Sequence, residues 1–300
     1  MLLTVVICTY HREELLALSL TSLAQQSADP DRYTVLVVDN AGREATRQVA
    51  ERFSVGYTTK AAVGLSHARN RGLEAAATPW VLYLDDDIQA PPDLLQRFLD
   101  RLDTADFAAL GGMVRHWFRD PPPRWLRRYY RRPMRPSPQA AFGELAADRY
   151  LLGGLLAVRR RAGQKVGGFS ARYGMQGRRV GRGDEDEFQV RLRRAGFGVY
   201  YDPEIVIDHL VQPYKYTFAG ILQLARAAGR DGLGMRGNTK PNRWQVLRRL
   251  AIITGYSLPF NLARWLFKPQ YYWQNAYLDT LTKYYFLWGQ YHAQHTLNSR

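Results

Sequence analysis

Among its 300 residues the chain has one cysteine, Cys8, so it can form no internal disulfide and suits a reducing compartment. Cys8 follows the apolar run Leu2-Leu3-Thr4-Val5-Val6-Ile7, where a thiol behaves as a small hydrophobe. Long apolar runs are missing too. The stretch 250–260 is interrupted by Thr254, Gly255, Ser257 and Pro259 and falls short of the ~20 apolar residues of a spanning helix. The beginning of the sequence shows no basic leader, extended apolar core or small-residue cleavage site, so no signal peptide and a cytoplasmic location are expected. Acids are scarce: 27 Asp and Glu stand against 42 Lys and Arg, a net charge of +15 that directs attention to anionic partners. What is present, 46% hydrophobic and 13% aromatic residues, is the composition of a folded protein with one large core or two unequal ones.

The few acids are clustered. An apolar, aromatic run, Trp80-Val81-Leu82-Tyr83-Leu84, ends abruptly in Asp85-Asp86-Asp87. Three like charges at the end of a buried strand raise one another's pKa values, and a divalent cation held by carboxylate oxygens resolves the repulsion. The plainer reading is a solvated turn capping a helix that begins near Pro91 or Pro92. Runs of strand length also cover 2–8 and 33–38, and helix-like stretches cover 13–25, 44–53 and 67–77. This alternation predicts right-handed βαβ units and a parallel sheet covered on both faces. The strands end in Thr9, Asp39-Asn40 and Asp85-Asp86-Asp87, so these ends should meet at one ligand site beyond the carboxyl edge of the sheet. Taken singly, Asp39 also reads as a turn cap and Arg69 as a solvated helix residue.

A second acid cluster, Asp184-Glu185-Asp186-Glu187, opens a helix-like segment with bases toward its end and Gly196 as its stop, in agreement with the helix dipole. It can be read as a well-formed surface helix, although four successive acids exceed what capping needs. Helical spacing puts Glu185 on one face with Phe188 and Leu192, pointing inward, and Asp186 on a mixed face with Val190 and Arg193.

The motifs Val5-Val6-Ile7-Cys8-Thr9-Tyr10-His11-Arg12, Val37-Val38-Asp39-Asn40, Gly64-Leu65-Ser66-His67-Ala68-Arg69-Asn70-Arg71-Gly72 and Leu84-Asp85-Asp86-Asp87 resemble successive signatures of family 2 glycosyltransferases, which have the GT-A fold. The resemblance continues through Gly153-Gly154, Val166-Gly167-Gly168-Phe169, the acids 184–187 and Pro203 with Asp208-His209, covering about residues 2–235. It implies an α/β, Rossmann-like fold with a mostly parallel sheet, helices on both faces and a helical C-terminal extension. The implied domains are a catalytic domain at 1–235, with a nucleotide-sugar-binding half at 1–110 and an acceptor-binding half at 111–235, and the extension at 236–300.

By the same resemblance Thr9, Tyr10 and Arg12 surround the base of a nucleotide-sugar, Asp39 binds the nucleoside, Arg69 faces the diphosphate, and Asp85 and Asp86 meet the ribose-phosphate portion. Asp85 and Asp87 bracket Mg2+ or Mn2+, with His209 a third metal or phosphate ligand or, alternatively, a structural histidine. The general base falls among Asp184, Glu185 and Asp186. Glu185 comes first when counted back from Arg191 and Gly196, and Asp186 stays open because an aspartate is commoner at the position. The implied activity is inverting transfer from a nucleoside diphosphate sugar, UDP-sugars foremost, to a hydroxyl of a glycan or lipid-linked acceptor in polysaccharide or glycolipid biosynthesis. Gly153-Gly154-Leu155 lacks the Asn often found there, which leaves sugar specificity open.

Residues 113–140 read as a long loop broken by Pro121, Pro122, Pro123, Pro133, Pro136 and Pro138 and rich in arginine, Arg135 included. The resemblance sets this loop beside the acceptor, with Trp117 and Trp125 stacking on sugars and Gly153-Gly154 nearby; a merely solvated basic loop is the alternative. From residue 215 onward twelve Lys and Arg, Arg236 and Arg300 among them, face two acids, or 12 − 2 = +10. With Trp244, Trp265, Trp273 and Trp288 this tail suggests electrostatic attachment to an anionic membrane surface, peripheral on its inner face, or a helical extension packed on the catalytic domain or a second subunit. Two other classes compete. A nucleic-acid-binding protein fits the basic surface, but the acids sit at strand ends and no recognisable nucleic-acid module is present. A nucleotidyltransferase would also need a metal, but its Gly- and Lys-rich triphosphate loop is missing at Thr9-Tyr10-His11-Arg12.

Overall fold

A computed structural model describes residues 1–103, 106–134, 139–177, 179–232 and 240–293; Arg135, Pro136, Pro138, Arg236 and Arg300 lie outside the described residues. Its strands are β1 (Leu3–Thr9), β2 (Tyr33–Asp39), β3 (Gly56–Thr59), β4 (Trp80–Asp85), β5 (Ile88–Gln89), β6 (Ala109–Trp117), β7 (Gly143–Glu144), β8 (Leu155–Arg159) and β9 (Val199–Leu210). Its helices are α1 (Glu13–Leu23), α2 (Glu44–Arg52), α3 (Leu65–Ala75), α4 (Leu94–Leu102), α5 (Arg160–Lys165), α6 (Asp184–Arg194), α7 (Phe218–Asp231), α8 (Arg243–Ile252), α9 (Leu258–Phe267) and α10 (Trp273–Tyr291).

Consecutive apolar residues in β1 explain why this strand lies inside the sheet, covered on both faces. Val5 and Ile7 join one core cluster with α1, α2 and α4, while Val6 and Cys8 join the other with α3, α5 and α6. A strand covered on both sides gains by being apolar throughout, as parallel strands are. Burial pushes the Cys8 thiol up to about 12, so the group packs as a neutral hydrophobe.

Among the described residues the sheet has nine strands in the order β3-β2-β1-β4-β8-β6-β9-β5, with β7 added on β9. The first four run parallel, as expected. Beyond β4 the sheet is mixed: β8 is antiparallel to both β4 and β6, β9 is parallel to β6, and the short β5 and β7 are antiparallel to β9. A register shift between Gly112 and Met113 bends β6 along β9, and a Cβ at Gly112 would meet the Ile205 carbonyl oxygen.

The chain divides into two compact units, one of Met1–Trp117, Arg132–Arg178 and Asp184–Leu210, the other of Phe118–Arg131, Arg179–Gly183 and Val211–Arg300. The division after Leu210 differs from the boundary expected at 235, because α7 packs along α10 through small residues. A Cβ at Gly229 would meet the Phe286 carbonyl oxygen, and one at Gly289 would meet that of Arg226. The expected loop over 113–140 is also shorter than the prolines suggested. Residues 113–117 belong to β6, and Tyr129 in the second unit donates its hydroxyl to Asp279 at 2.8 Å while Arg128 pairs with the same carboxylate at 3.3 Å. Gly289→Leu should force α7 and α10 apart and destabilise the protein by about 1–3 kcal/mol, as overpacking does. Urea denaturation of the full chain checks this, and an unchanged midpoint would mean that the helices do not approach this closely.

Candidate active site

The ladder between β5 and β9 assembles a cluster of ligand atoms. Ile88 pairs with His209, and the Leu210 N–H donates to the Asp87 carbonyl at 2.8 Å, so Asp87 and His209 are brought together by register. His209 Nε2 lies 3.1 Å from Asp87 Oδ1 and 3.2 Å from Asp85 Oδ2. One ligand atom from each of Asp85, Asp87 and His209 lies within 4.8 Å of the others. His209 Nδ1 is 3.0 Å from the Leu210 carbonyl oxygen, which only accepts, so Nδ1 carries a proton and Nε2 is the ring nitrogen that faces the two carboxylates and would ligate a cation. Three acceptors converging in this way fit a divalent cation, and the Nδ1 hydrogen bond is the usual orienting contact of a ligating histidine. Mixed carboxylate and imidazole donors suit Mg2+ or Mn2+.

Asp86 serves a different purpose. It accepts hydrogen bonds from Thr9 Oγ1 at 2.7 Å and Arg12 Nη1 at 3.0 Å, tying the end of β1 to the end of β4. Burial pushes its carboxyl up to about 6; Arg12 and Thr9 oppose the rise, while Asp87 and Asp85 add to it. Thr9 and Arg12, expected beside a nucleotide base, are therefore both anchored to the acid run, and Tyr10 stands half-buried next to them with its ring against His11. Asp39 is fully buried at the end of β2, where it caps the following turn by accepting from the Ala41 and Arg43 N–H groups at 2.7 Å each. Tyr57 also donates to Asp39, at 3.0 Å, and burial together with this carboxylate pushes the phenol up to about 12.

Arg69 is no solvated helix residue. Its guanidinium is buried, pairs with Asp184, lies 3.8 Å from Asp85 and covers the Phe169 ring at 5.4 Å. Burial alone would lower its pKa, but Asp184, Asp85 and Glu185 together raise it, so it remains charged. Gly153 and Gly154 make room for this chain of charges, since a Cβ at Gly153 would fall on the Arg69 guanidinium and one at Gly154 on the Asp85 carboxylate. Neither role was visible in the sequence, which suggested an acceptor contact.

On α6 the observed burial corrects one expectation. The acid that points inward is Asp184, buried with Phe188, Gln189 and Leu192, whereas Glu185 and Asp186 are half-buried. Asp184 lies four residues before Phe188 and eight before Leu192, spacings no nearer to the helical period than those of Glu185, so its burial reflects its pairing with Arg69 rather than the period. Burial pushes the Asp184 carboxyl up to about 7; Arg69 draws it down, and Glu185, which shares a hydrogen bond with it, pushes it further up. Glu187 is taken up by Arg191 at 2.6 Å. Asn40, expected near the site as part of a strand end but given no role, accepts from the Gly64 N–H at 2.6 Å and donates to the Lys60 and Ala62 carbonyls, ordering the approach to α3. Its place directly after Asp39 at a strand end was the available signal. Trp117 ends β6 in the first unit, whereas Trp125 belongs to the second, its ring 5.5 Å from Phe218 and its carbonyl accepting from Asn275.

Known proteins share this arrangement of elements. The family described as Glycosyl transferase family 2 matches residues 4–167. The succinoglycan biosynthesis protein ExoM of Rhizobium meliloti (strain 1021) is 30% identical over 234 residues, 75% of this chain and 71% of that protein. A glucosyl-dolichyl phosphate glucuronosyltransferase of Haloferax volcanii is 27% identical over 229 residues, 73% of this chain and 72% of that protein. Among solved structures, a mannosyltransferase from Pyrobaculum calidifontis in complex with GDP-Man and Mn2+ aligns with a TM-score of 0.65 at 18% identity, over 95% of this chain and 87% of that chain. This likeness bears out the α/β GT-A architecture with helices at the C-terminus.

Two measurements probe the site. Mn2+ at about 100 times its Kd should stabilise the fold by about 2.7 kcal/mol, and Asp87→Asn should lose that gain. Equal shifts of the thermal midpoint in both proteins would remove Asp87 from the ligand set. Asp184 releases its proton at an ordinary 3.8 in the unfolded chain but at about 7 in the fold. Its contribution to stability therefore declines as pH rises through that window, and Asp184→Asn should flatten the decline. Urea denaturation in chelator at about pH 5 and about pH 7.5 reads the slope; an identical slope in the variant would overturn the assignment.

Proposed function

The chain belongs to glycosyl transferase family 2 and is a glycosyltransferase, and from that premise we propose that it moves a sugar, with inversion, from a nucleoside diphosphate sugar to a hydroxyl of a glycan or lipid-linked acceptor. The observation that carries this reading is the convergence of Asp85, Asp87 and His209 at the carboxyl edge of the sheet, with the charged Arg69 leading from it to the acids of α6. Asp85, Asp87 and His209 would hold Mg2+ or Mn2+, which when bound neutralises charge on the departing diphosphate. Thr9, Arg12 and Asp86 hold the ends of β1 and β4 in register, forming the floor for the nucleoside, while Asp39 and Tyr57 fix the neighbouring turn.

Glu185 is the base in this reading. Asp184 is buried and engaged by Arg69, so it positions the guanidinium rather than meeting an acceptor. Half-buried Glu185 stands next to it, in reach of both solvent and the charge network, and takes the proton of the acceptor hydroxyl. A single base with direct displacement gives inversion. The printed names of the relatives support the substrate classes: GDP-Man accompanies one, and a glucosyl-dolichyl phosphate acceptor is named in another. For this chain UDP-sugars are the first donors to test, with a polysaccharide or glycolipid product and a cytoplasmic, membrane-peripheral setting.

Incubation with a panel of nucleotide-sugars should release nucleoside diphosphate with Mn2+ or Mg2+ and not with chelator. Pyrophosphate release from a nucleoside triphosphate would instead support a nucleotidyltransferase. Glu185→Gln should keep donor affinity and lower turnover by about 10² to 10⁴, the span of a lost general base. If Asp186→Asn behaves so and Glu185→Gln does not, the base is Asp186.

A further inference from the structure

In the second unit, α8, the π-helical turn Ile253–Ser257 and α9 follow one another without a break, and from Ser257 onward the polarity is reversed for a helix in water. The inward side buries Ile253 and, beyond it, only polar groups. Ser257 Oγ accepts from Lys283 Nζ at 2.8 Å, Asn261 Nδ2 donates to Thr280 Oγ1 at 3.0 Å, and Asn261 Oδ1 accepts from the Tyr271 hydroxyl at 3.1 Å. Ser257, Asn261 and Thr280 are buried. The outward side is apolar and aromatic: Trp244 is 68% exposed, Tyr256 66%, Leu266 66% and Phe267 84%. A surface helix normally turns its apolar stripe to the core and its polar face to water. Here hydrogen bonds satisfy the inside, and the outer face is suited to an apolar medium.

Charge identifies that medium. Residues 243–268 contain Arg243, Arg248, Arg249, Arg264 and Lys268 and no acid. A second copy docked through the same patch would bring like charges together across a two-fold axis. An anionic lipid surface satisfies both the positive charge and the apolar side chains. A cleft of about 540 Å3 adjoins α8, and its Arg249 and Lys283 hydrogen-bond to the neutral acceptors Gln290 and Ser257. Among the described residues no helix is long and apolar enough to cross a membrane.

We propose that the face from Trp244 to Phe267 lies in the plane of an anionic membrane, its aromatic side chains inserted at the boundary of headgroups and acyl chains and Arg243, Arg248 and Lys268 against lipid phosphates. Attachment by charge alone would vanish in salt. Insertion adds an apolar contribution that salt does not screen. The proposal is independent of the sugar-transfer chemistry.

The test is co-sedimentation of the full chain with phosphatidylcholine vesicles containing about 30% phosphatidylglycerol, at about 0.1 M and about 0.5 M NaCl. Binding should weaken in the higher salt yet persist, and brominated phosphatidylcholine in the vesicles should quench tryptophan fluorescence. The triple variant Trp244→Ser, Tyr256→Ser, Phe267→Ser should bind at least about tenfold more weakly, with an unchanged thermal midpoint. Should that variant fail to fold, Arg248→Glu with Lys268→Glu takes its place and should lose binding to a similar extent. Undiminished binding by a folded variant, complete loss of wild-type binding in the higher salt, or absence of quenching overturns insertion. A lipid-free dimer that the triple variant converts to monomer would assign the face to a second copy instead.

Discussion

Repulsion among three consecutive carboxylates at the buried end of β4 is the constraint on which the site depends, and the acids meet it in two ways. Asp86 turns to Thr9 and Arg12, which binds the first strand to the fourth, and the same Arg12 nitrogen lies 3.6 Å from Asp87. Asp85 and Asp87 turn toward His209, where three acceptor atoms gather and invite a cation. Arg69 offsets part of the remaining charge, and because it is buried it needs a carboxylate of its own, Asp184. The start of α6 is thereby fixed by electrostatics that begin at β4, and the half-buried Glu185 takes its place as a consequence. Glycines at 153 and 154 are part of the same solution, since side chains there would occupy the space of the charges.

Much of the first half was legible in the sequence because its signals are local. The expected strands 2–8, 33–38 and 80–84 differ by at most one residue at either end from β1, β2 and β4, since runs of apolar residues covered on both faces leave little freedom of assignment. The pairing of outer aspartates with His209 was also legible, through resemblance rather than spacing. β3 was missed because Gly56–Thr59 is short and partly exposed and has no apolar signature. The inward turn of Asp184 instead of Glu185 could not be seen, because a helix start after the glycine-rich 181–183 region leaves its phase open, and the deciding partner, Arg69, lies 115 residues earlier.

The second unit shows the opposite limit. Its basic, aromatic composition was plain in the sequence, yet composition cannot say which side of a helix is buried. Only the hydrogen bonds of Ser257 and Asn261 reveal that the polar side faces inward. The boundary after Leu210 was equally hidden, since it depends on glycines whose significance appears when α7 and α10 are in contact.

Asp85 and His209 stand 124 residues apart in the chain yet meet at one point. An ion held between them would close a loop across most of the catalytic unit, much as a covalent staple would, in a chain that has no second cysteine with which to make one. During synthesis the carboxylates emerge long before the imidazole. The complete donor set therefore exists only after β9 has docked beside β5, and an ion held by all three donors would bind only then.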